Sequence, residues 1–146
     1  MNTKRQSKTN FQVRSFLNSW LPTFSWIIVV CYLSLADSGL PNIRFHFILE
    51  SDKIAHIGIY FVLTLLLIRS WSNLFSKKAH GYLLISASLQ AISFSIIMEV
   101  LQNLLTKTRH FDLKDIYANI GGTILGAIIY VLYHRFFSRN TSDYKA

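Results

Sequence analysis

The chain has 146 residues, of which 51% are hydrophobic and only 15% are charged, a balance too apolar for an ordinary soluble domain of this size. Its net charge of +8 raises the question of nucleic acid, but the basic residues are spread between apolar blocks, so we expect no nucleic-acid partner. The single cysteine, Cys31, excludes an intrachain disulfide and a cysteine-based zinc site.

Four apolar stretches follow one another along the chain, and about 20 apolar residues are enough to span a bilayer as a helix. They run approximately over residues 20–36, 54–71, 82–102 and 116–137. A segment in lipid must satisfy its own backbone hydrogen bonds, which favours helices. The sequence predicts an all-α, polytopic membrane protein, a bundle of four transmembrane helices. Residues 16–137 form the membrane domain, between a basic cytoplasmic tail (1–15) and a second cytoplasmic tail (138–146).

The distribution of Lys and Arg predicts the orientation of the spans, because these residues concentrate in cytoplasmic loops. With both termini in the cytoplasm, ten of the fifteen basic residues lie inside, and six of the seven acids lie at the outer side. Trp20 and Trp71 then fall near cytoplasmic ends of spans, as expected of interfacial aromatic residues. We expect a multi-pass protein of the cytoplasmic (inner) cell membrane with both termini inside.

The first span has an alternative interpretation as a cleaved signal peptide. It has a basic start, an apolar middle and the small-x-small motif Ser34-Leu35-Ala36. However, no soluble domain follows it for export. We therefore expect the first span to be retained.

Polar residues mark one face of the second span, and they are informative because an unpaired polar group in lipid is costly. Asp52, His56 and Tyr60 recur every four residues, with Lys53 beside the first of them, so they share a helix face. Asp52 and Lys53 can also be explained as an interfacial cap with a snorkelling lysine. His56 can be a packing residue.

The third span carries a polar seam that contains Ser95, Glu99 and Gln102 at helical spacing. Glu99 is surrounded by apolar residues, and an intramembrane carboxylate is a functional candidate by default. The structural alternative is an ion pair with Arg109 or Lys53 that only fixes the helix register.

The fourth span begins with Arg109, Asp112, Asp115 and Asn119, and the last three share a helix face. Asp112 is also a candidate N-cap of the helix. Ala118, Gly122 and Gly126 follow as a stripe of small residues that permits close helix packing. This packing should bring the polar face of the fourth span against a neighbouring helix.

All three polar groups fall at the same membrane side, because the second and fourth spans begin there and the third ends there. We therefore predict an outward-facing pocket lined by one set of ligand-binding residues. They are Asp52, Lys53, His56, Tyr60, Glu99, Gln102, Arg109, Asp112, Asp115 and Asn119. The best catalytic candidates among them are Glu99, His56 and Asp115. No metal site is predicted, and the sequence names no cofactor.

The polar motifs resemble those of the VanZ-like family of small bacterial membrane proteins. The matching pieces are Asp52-Lys-x-x-His56-x-x-x-Tyr60, Glu99-x-x-Gln102 and Arg109-x-x-Asp112-x-x-Asp115-x-x-x-Asn119-x-x-Gly122. This resemblance covers roughly residues 40 to 132 and leaves the first span and both tails outside. It implies a membrane protein of the cell envelope, with a link to resistance against the glycopeptide antibiotic teicoplanin, and no established reaction.

Three functions remain open at this point. In the first, Arg109 and Lys53 hold an anionic lipid-linked or cell-wall-related ligand. In the second, the protein is an enzyme that modifies an envelope lipid or precursor, with Glu99 or His56 as general base. Asp112 and Asp115 then orient His56 or Arg109, or bind a divalent cation. In the third, the protein is a homo-oligomer or a structural subunit of a larger envelope complex. Membrane lipids are partners in each case.

Overall fold

The computed structural model describes the backbone of residues 2–35, 51–72, 80–106 and 111–143, and the side chains of residues 16–35, 52–72, 81–106 and 111–136. The described residues form four helices and no strand. The helices are α1 (Asn2–Leu35), α2 (Ser51–Ser72), α3 (His80–Leu105) and α4 (Leu113–Asp143). The predicted all-α fold is confirmed.

Each helix contains a segment long and apolar enough to cross a membrane, so the chain is a multi-pass membrane protein. The segments are Phe16–Leu35, Asp52–Ser72, Gly81–Leu105 and Leu113–Phe136. The backbones of α1 and α4 stay helical beyond these segments, into both predicted polar tails. Lys, Arg and Gln are good helix formers, so a helix need not end where the apolar sequence ends.

Helix α2 lies at the centre of the bundle. Both α2 and α3 pack against the three other helices, and α2 does so most extensively, whereas α1 and α4 do not contact each other within the described parts of the chain. The most extensive interface joins α2 to α4. A Cβ atom added at Gly122 would collide with the Ile57 carbonyl oxygen, and one added at Gly126 would lie 3.0 Å from the Phe61 carbonyl oxygen. The two glycines therefore permit the close approach of α4 to α2.

Hydrogen bonds of buried side chains join α1 to α2. The Thr23 Oγ1 atom lies 2.8 Å from Ser70 Oγ, which donates to the Ser19 carbonyl oxygen at 2.9 Å. The Trp26 Nε1 atom donates to the Ile59 carbonyl oxygen at 3.1 Å. Because polar groups need partners inside a bilayer, these bonds tie the first span to the rest of the bundle.

The side-chain contacts fix which helix ends meet. Trp20 near the start of the α1 span packs edge-on against Trp71 at the end of α2, with ring centroids 5.2 Å apart. At the opposite side, the Gln102 amide near the end of α3 donates to the Ser34 carbonyl oxygen near the end of α1, at 3.1 Å. The ends of α1 and α3 therefore lie with the starts of α2 and α4, at what we call the polar end of the bundle.

The bundle is apolar inside and outside. Its core consists of Tyr60, Leu63, Leu67, Ile68, Ala87 and Ala91. Large apolar side chains of all four helices are also exposed, among them Ile28, Ile54, Leu104 and Leu132. Such a surface is expected where helices face lipid, because a hydrocarbon environment removes the cost of exposing apolar side chains.

Candidate functional site

Charged and polar side chains from three helices lie together at the polar end. We call this group the polar cluster; it consists of Asp52, Lys53, His56, Ser95, Glu99, Asp112, Asp115 and Asn119. His56, Ser95, Glu99 and Asn119 are buried, whereas 66% of the Asp52 side chain is exposed. The cluster therefore reaches from the surface into the interior.

A chain of hydrogen bonds crosses from α2 through α4 to α3. The His56 Nδ1 atom lies 3.1 Å from Asn119 Oδ1, and Asn119 Nδ2 donates to Ser95 Oγ at 2.7 Å. Because the amide nitrogen of Asn119 is directed at Ser95, its oxygen faces His56 and accepts a hydrogen bond. His56 Nδ1 then carries the hydrogen, and in the neutral ring Nε2 is left with its lone pair.

Two carboxylates approach the other ring nitrogen of His56. The Nε2 atom lies 3.8 Å from Asp52 Oδ1 and 3.8 Å from Asp115 Oδ2. The Lys53 Nζ atom lies 3.9 Å from Asp115 Oδ1. These separations are too long for hydrogen bonds, so the groups are held near one another without direct bonding. The helical spacing of Asp52 and His56 is visible in the sequence, but Asp115 joins them only through the packing of α4 on α2.

Glu99 is 2% exposed and holds the start of α4 in place. Its Oε1 atom accepts a hydrogen bond from the Asp112 backbone nitrogen at 2.8 Å. The Asp112 side chain accepts one from the Lys114 backbone nitrogen at 2.9 Å, which makes Asp112 the N-cap of α4, as the sequence predicted. The alternative ion pair of Glu99 with Lys53 is not formed, because the Lys53 ammonium lies beside Asp115 instead.

Three of the predicted ligand-binding residues are not among the residues of the polar cluster. Tyr60 is buried at the inner edge of the cluster, where its hydroxyl is in hydrogen-bond contact with Ser95. Gln102 is also buried, and its amide is bonded to the Ser34 carbonyl oxygen, so its described contact joins α3 to α1. Arg109 lies outside the described residues.

Sequence reasoning did not select Asn103, whose Oδ1 atom accepts a hydrogen bond from the Phe111 backbone nitrogen at 3.3 Å. Together with Glu99, it holds the segment that leads into α4. Its position four residues after Glu99 is a signal that was available, since residues at this spacing share a helix face. Ser95 belonged to the predicted polar seam, but its bond with Asn119 depends on how α3 and α4 pack.

The charges of the polar cluster are mainly negative. It contains four carboxyl groups, on Asp52, Glu99, Asp112 and Asp115, and one ammonium group, on Lys53. Among the described residues, Asp52, His56 and Asp115 offer a set of donor atoms for a metal ion, all within 4.8 Å of one another. The cluster is therefore better suited to attract a cation than to bind an anion unaided.

The family comparison extends the resemblance drawn from the polar motifs. A model of the VanZ/LLP1 family matches residues 1–134, so the match includes the first span and the N-terminal segment. The motif-based range was too short because α1 contributes none of the motif residues. The chain matches no curated protein and no solved structure. As the family model covers nearly the whole chain, with three helices complete and most of the fourth span, this membrane protein belongs to the VanZ/LLP1 family.

Proposed function

We propose that this protein binds an anionic, lipid-linked or cell-wall-related ligand at the polar cluster. The observation that supports this is the gathering of ionisable side chains from α2, α3 and α4 at one end of an otherwise lipid-facing bundle. Ionisable residues in membrane spans are costly, and they commonly mark binding sites or transport paths. A site at the end of a span also lies at the depth of lipid head groups.

The rim of the cluster suits a ligand that is part head group and part hydrocarbon. Lys53 has 35% of its side chain exposed, so its ammonium group is accessible to a phosphate. Ile54, Leu113 and Tyr117 are all strongly exposed close to Lys53 and Asp115 in sequence. An acyl or polyprenyl chain can lie against these apolar side chains while its head group reaches Lys53.

Binding of an anion requires more positive charge than Lys53 supplies, because the cluster contains four carboxyl groups. We propose Arg109 as a second anion-binding residue, since a guanidinium group binds phosphate through two parallel hydrogen bonds. Arg109 belongs to the same motif as Asp112 and Asp115 in sequence.

The proposed orientation places the polar cluster at the outer face of the cytoplasmic membrane, with both termini in the cytoplasm. It is based on the excess of Lys and Arg in the termini and in the segment between α2 and α3. Lipid-linked cell-wall precursors are used at the outer face. This location agrees with the proposed envelope role and with the teicoplanin-resistance phenotype that the family resemblance implies.

A catalytic role is the second candidate, and the orientation of the His56 ring favours it. Asn119 holds His56 Nδ1, so the Nε2 lone pair is directed at the cluster, as in sites where one residue orients a general base. Glu99 is less suited to act as the base, because its Oε1 atom is bonded to the Asp112 backbone nitrogen.

Lipid binding to the purified full chain tests the proposal. The protein is titrated in detergent with farnesyl diphosphate and with phosphatidylglycerol, and bound lipid is counted by native mass spectrometry against phosphatidylcholine. We expect the anionic lipids to bind preferentially, and Lys53→Gln to weaken them about tenfold, since a charge-assisted hydrogen bond contributes about 1.5–3 kcal/mol. The matched control is Arg135→Gln, which removes one positive charge near the other end of α4. Equal binding of all three lipids, or equal effects of the two substitutions, would contradict the proposal.

A further inference from the structure

Three potential metal donors converge on one point between α2 and α4. They are Asp52 Oδ1, His56 Nε2 and Asp115 Oδ2, and the ring nitrogen lies 3.8 Å from each of the two oxygens. Donor atoms bound to a tetrahedral ion at about 2.1 Å are separated by about 3.4 Å. All three donor atoms lie within 4.8 Å of one another, so side-chain shifts on the order of 1 Å bring them to bonding distance from a common ion.

The surroundings of His56 prepare its Nε2 atom for metal binding. A metal-binding histidine commonly donates its other ring N–H to a carbonyl or carboxylate oxygen, which fixes the ring and its tautomer. The bond from His56 Nδ1 to Asn119 Oδ1 at 3.1 Å has this form, and Ser95 in turn orients Asn119. The Nε2 lone pair is thereby directed at two carboxylates, where a cation is the complementary partner.

Asp115 lies in the first turn of α4, where the helix dipole favours a carboxylate, yet one of its oxygens is poorly satisfied. Its Oδ1 atom is buried and has no hydrogen-bond partner among the described residues, and the Lys53 ammonium is 3.9 Å away. The capping of α4 is already performed by Asp112. A buried carboxylate oxygen without a partner is costly, and coordination of an ion by this side chain would compensate that cost.

From these contacts we infer that Asp52, His56 and Asp115 bind a divalent transition-metal ion, Zn²⁺ or Mn²⁺. One imidazole and two carboxylates form a mixed nitrogen and oxygen set, which suits these ions better than Ca²⁺ or Mg²⁺. Three protein donors leave further coordination positions open on the exposed side, where Asp52 lies. The sequence does not predict this site, because Asp115 joins Asp52 and His56 only through the packing of α4 on α2.

The ion would also supply positive charge to a cluster with an excess of carboxyl groups. An open coordination position beside Lys53 can accept a phosphate oxygen, so the metal would bridge the protein to an anionic head group. This second step rests on the proposed function, whereas binding of the metal itself does not.

Metal binding is tested with the full-length protein in detergent, stripped with a chelator and titrated with ZnCl₂ or MnCl₂. We expect one saturable site by elemental analysis, and nitrogen coupling from one imidazole in the pulsed electron paramagnetic resonance spectrum of the Mn²⁺ form. Asp52→Asn and Asp115→Asn should each weaken binding at least about tenfold, since even outer partners of metal ligands contribute about 10–100-fold. Because Asp52 is largely exposed, its substitution does not threaten folding.

Asp143→Asn is the matched control, since it removes a carboxylate at the opposite end of α4 from the three donors. It should leave metal affinity within about twofold of the native protein, less than the smallest outer-shell effect. Absence of a saturable site, or equal affinity in all four proteins, overturns the inference. Absence of nitrogen coupling also overturns it, because His56 would then be no ligand.

Lipid titrations of the metal-free and the metal-bound protein distinguish failure of this inference from failure of the proposed function. Anionic lipids that bind equally with and without metal support the function and refute metal bridging. Metal that binds at one site, while no anionic lipid binds in preference to phosphatidylcholine, supports the metal site and contradicts the proposed ligand class.

Discussion

His56 of α2 and Asn119 of α4, 63 residues apart in the sequence, are joined by a buried hydrogen bond of 3.1 Å between Nδ1 and Oδ1. Asn119 extends the contact to Ser95 of α3, so one amide links three helices. Inside a membrane, such bonds contribute to helix association because the hydrophobic effect does not drive helices together. Asn119 therefore couples the stability of the bundle to the geometry of the polar cluster.

Replacing Asn119 with alanine should destabilise the bundle by about 1 kcal/mol, which is the usual size of a hydrogen bond between membrane helices. Unfolding in mixed micelles with increasing SDS measures the change. Thr123→Val is the control, because among the described residues the Thr123 hydroxyl donates to the Asn119 carbonyl oxygen, within α4 itself. Equal stability of the two variants would show that the hydrogen bonds of the Asn119 side chain do not stabilise the bundle.

Gly122→Ala should destabilise the protein by about 1–3 kcal/mol, because the added methyl group meets the Ile57 carbonyl oxygen and forces α4 away from α2. Gly121→Ala is the matched control on the next residue, where an added Cβ meets nothing within 4 Å. It should leave stability unchanged or raise it by at most about 1 kcal/mol through helix propensity. The same unfolding assay measures both, and similar losses for the two variants would contradict the observed packing.

Glu99→Gln should fold like the native chain, because an amide oxygen can still accept the hydrogen bond from the Asp112 backbone nitrogen. Glu99→Leu removes the acceptor and should cost about 1–3 kcal/mol, the usual penalty for a buried donor left without a partner. Hydrogen exchange at the start of α4 should increase only in the leucine variant. Faster exchange in both variants would show that the charge of Glu99, and not its oxygen, holds this segment.

If the protein raises teicoplanin resistance, as proposed, a susceptibility assay at equal membrane abundance separates an enzyme from an assembly protein. If the protein is an enzyme, His56→Ala should abolish the phenotype while the chain still inserts and folds. If the protein acts through assembly, Gly122→Leu should be the more harmful change. Full activity of both His56→Ala and Glu99→Gln would refute catalysis by these two residues.

The orientation of the spans is tested by cysteine labelling in a Cys31→Ser background. A cysteine at position 46 should react with an impermeant maleimide in intact cells, because it lies in the proposed outer segment. A cysteine at position 78 should react only after the membrane is opened. The reverse pattern would place the polar cluster on the cytoplasmic side.

Retention of the first span is tested by the intact mass of the natively expressed protein. We expect no cleavage after Ala36, because Thr23 and Trp26 of α1 are hydrogen-bonded to α2. A mass that lacks residues 1–36 would establish the signal-peptide alternative.

Much of the candidate site could be selected from the sequence, because a charged residue between apolar neighbours is conspicuous. Glu99 and His56 are conspicuous in this way, whereas helical spacing with Asn119 indicates Asp112 and Asp115. The partners of these residues were not identifiable. Glu99 was considered as a partner of Lys53, but the structure pairs it with a backbone nitrogen, and Lys53 approaches Asp115.

The sequence by itself determined the number of spans and the end of the bundle at which polar residues collect, because both depend on local hydrophobicity and on the alternating direction of successive helices. The tertiary structure decided which side chains meet. Helix α4 approaches α2 closely at Gly122. This close packing sets Asp115 beside His56, and it directs the Asn119 side chain at His56 of α2 and Ser95 of α3. Such contacts depend on the packing of residues far apart in the chain, which spacing along a single helix does not specify.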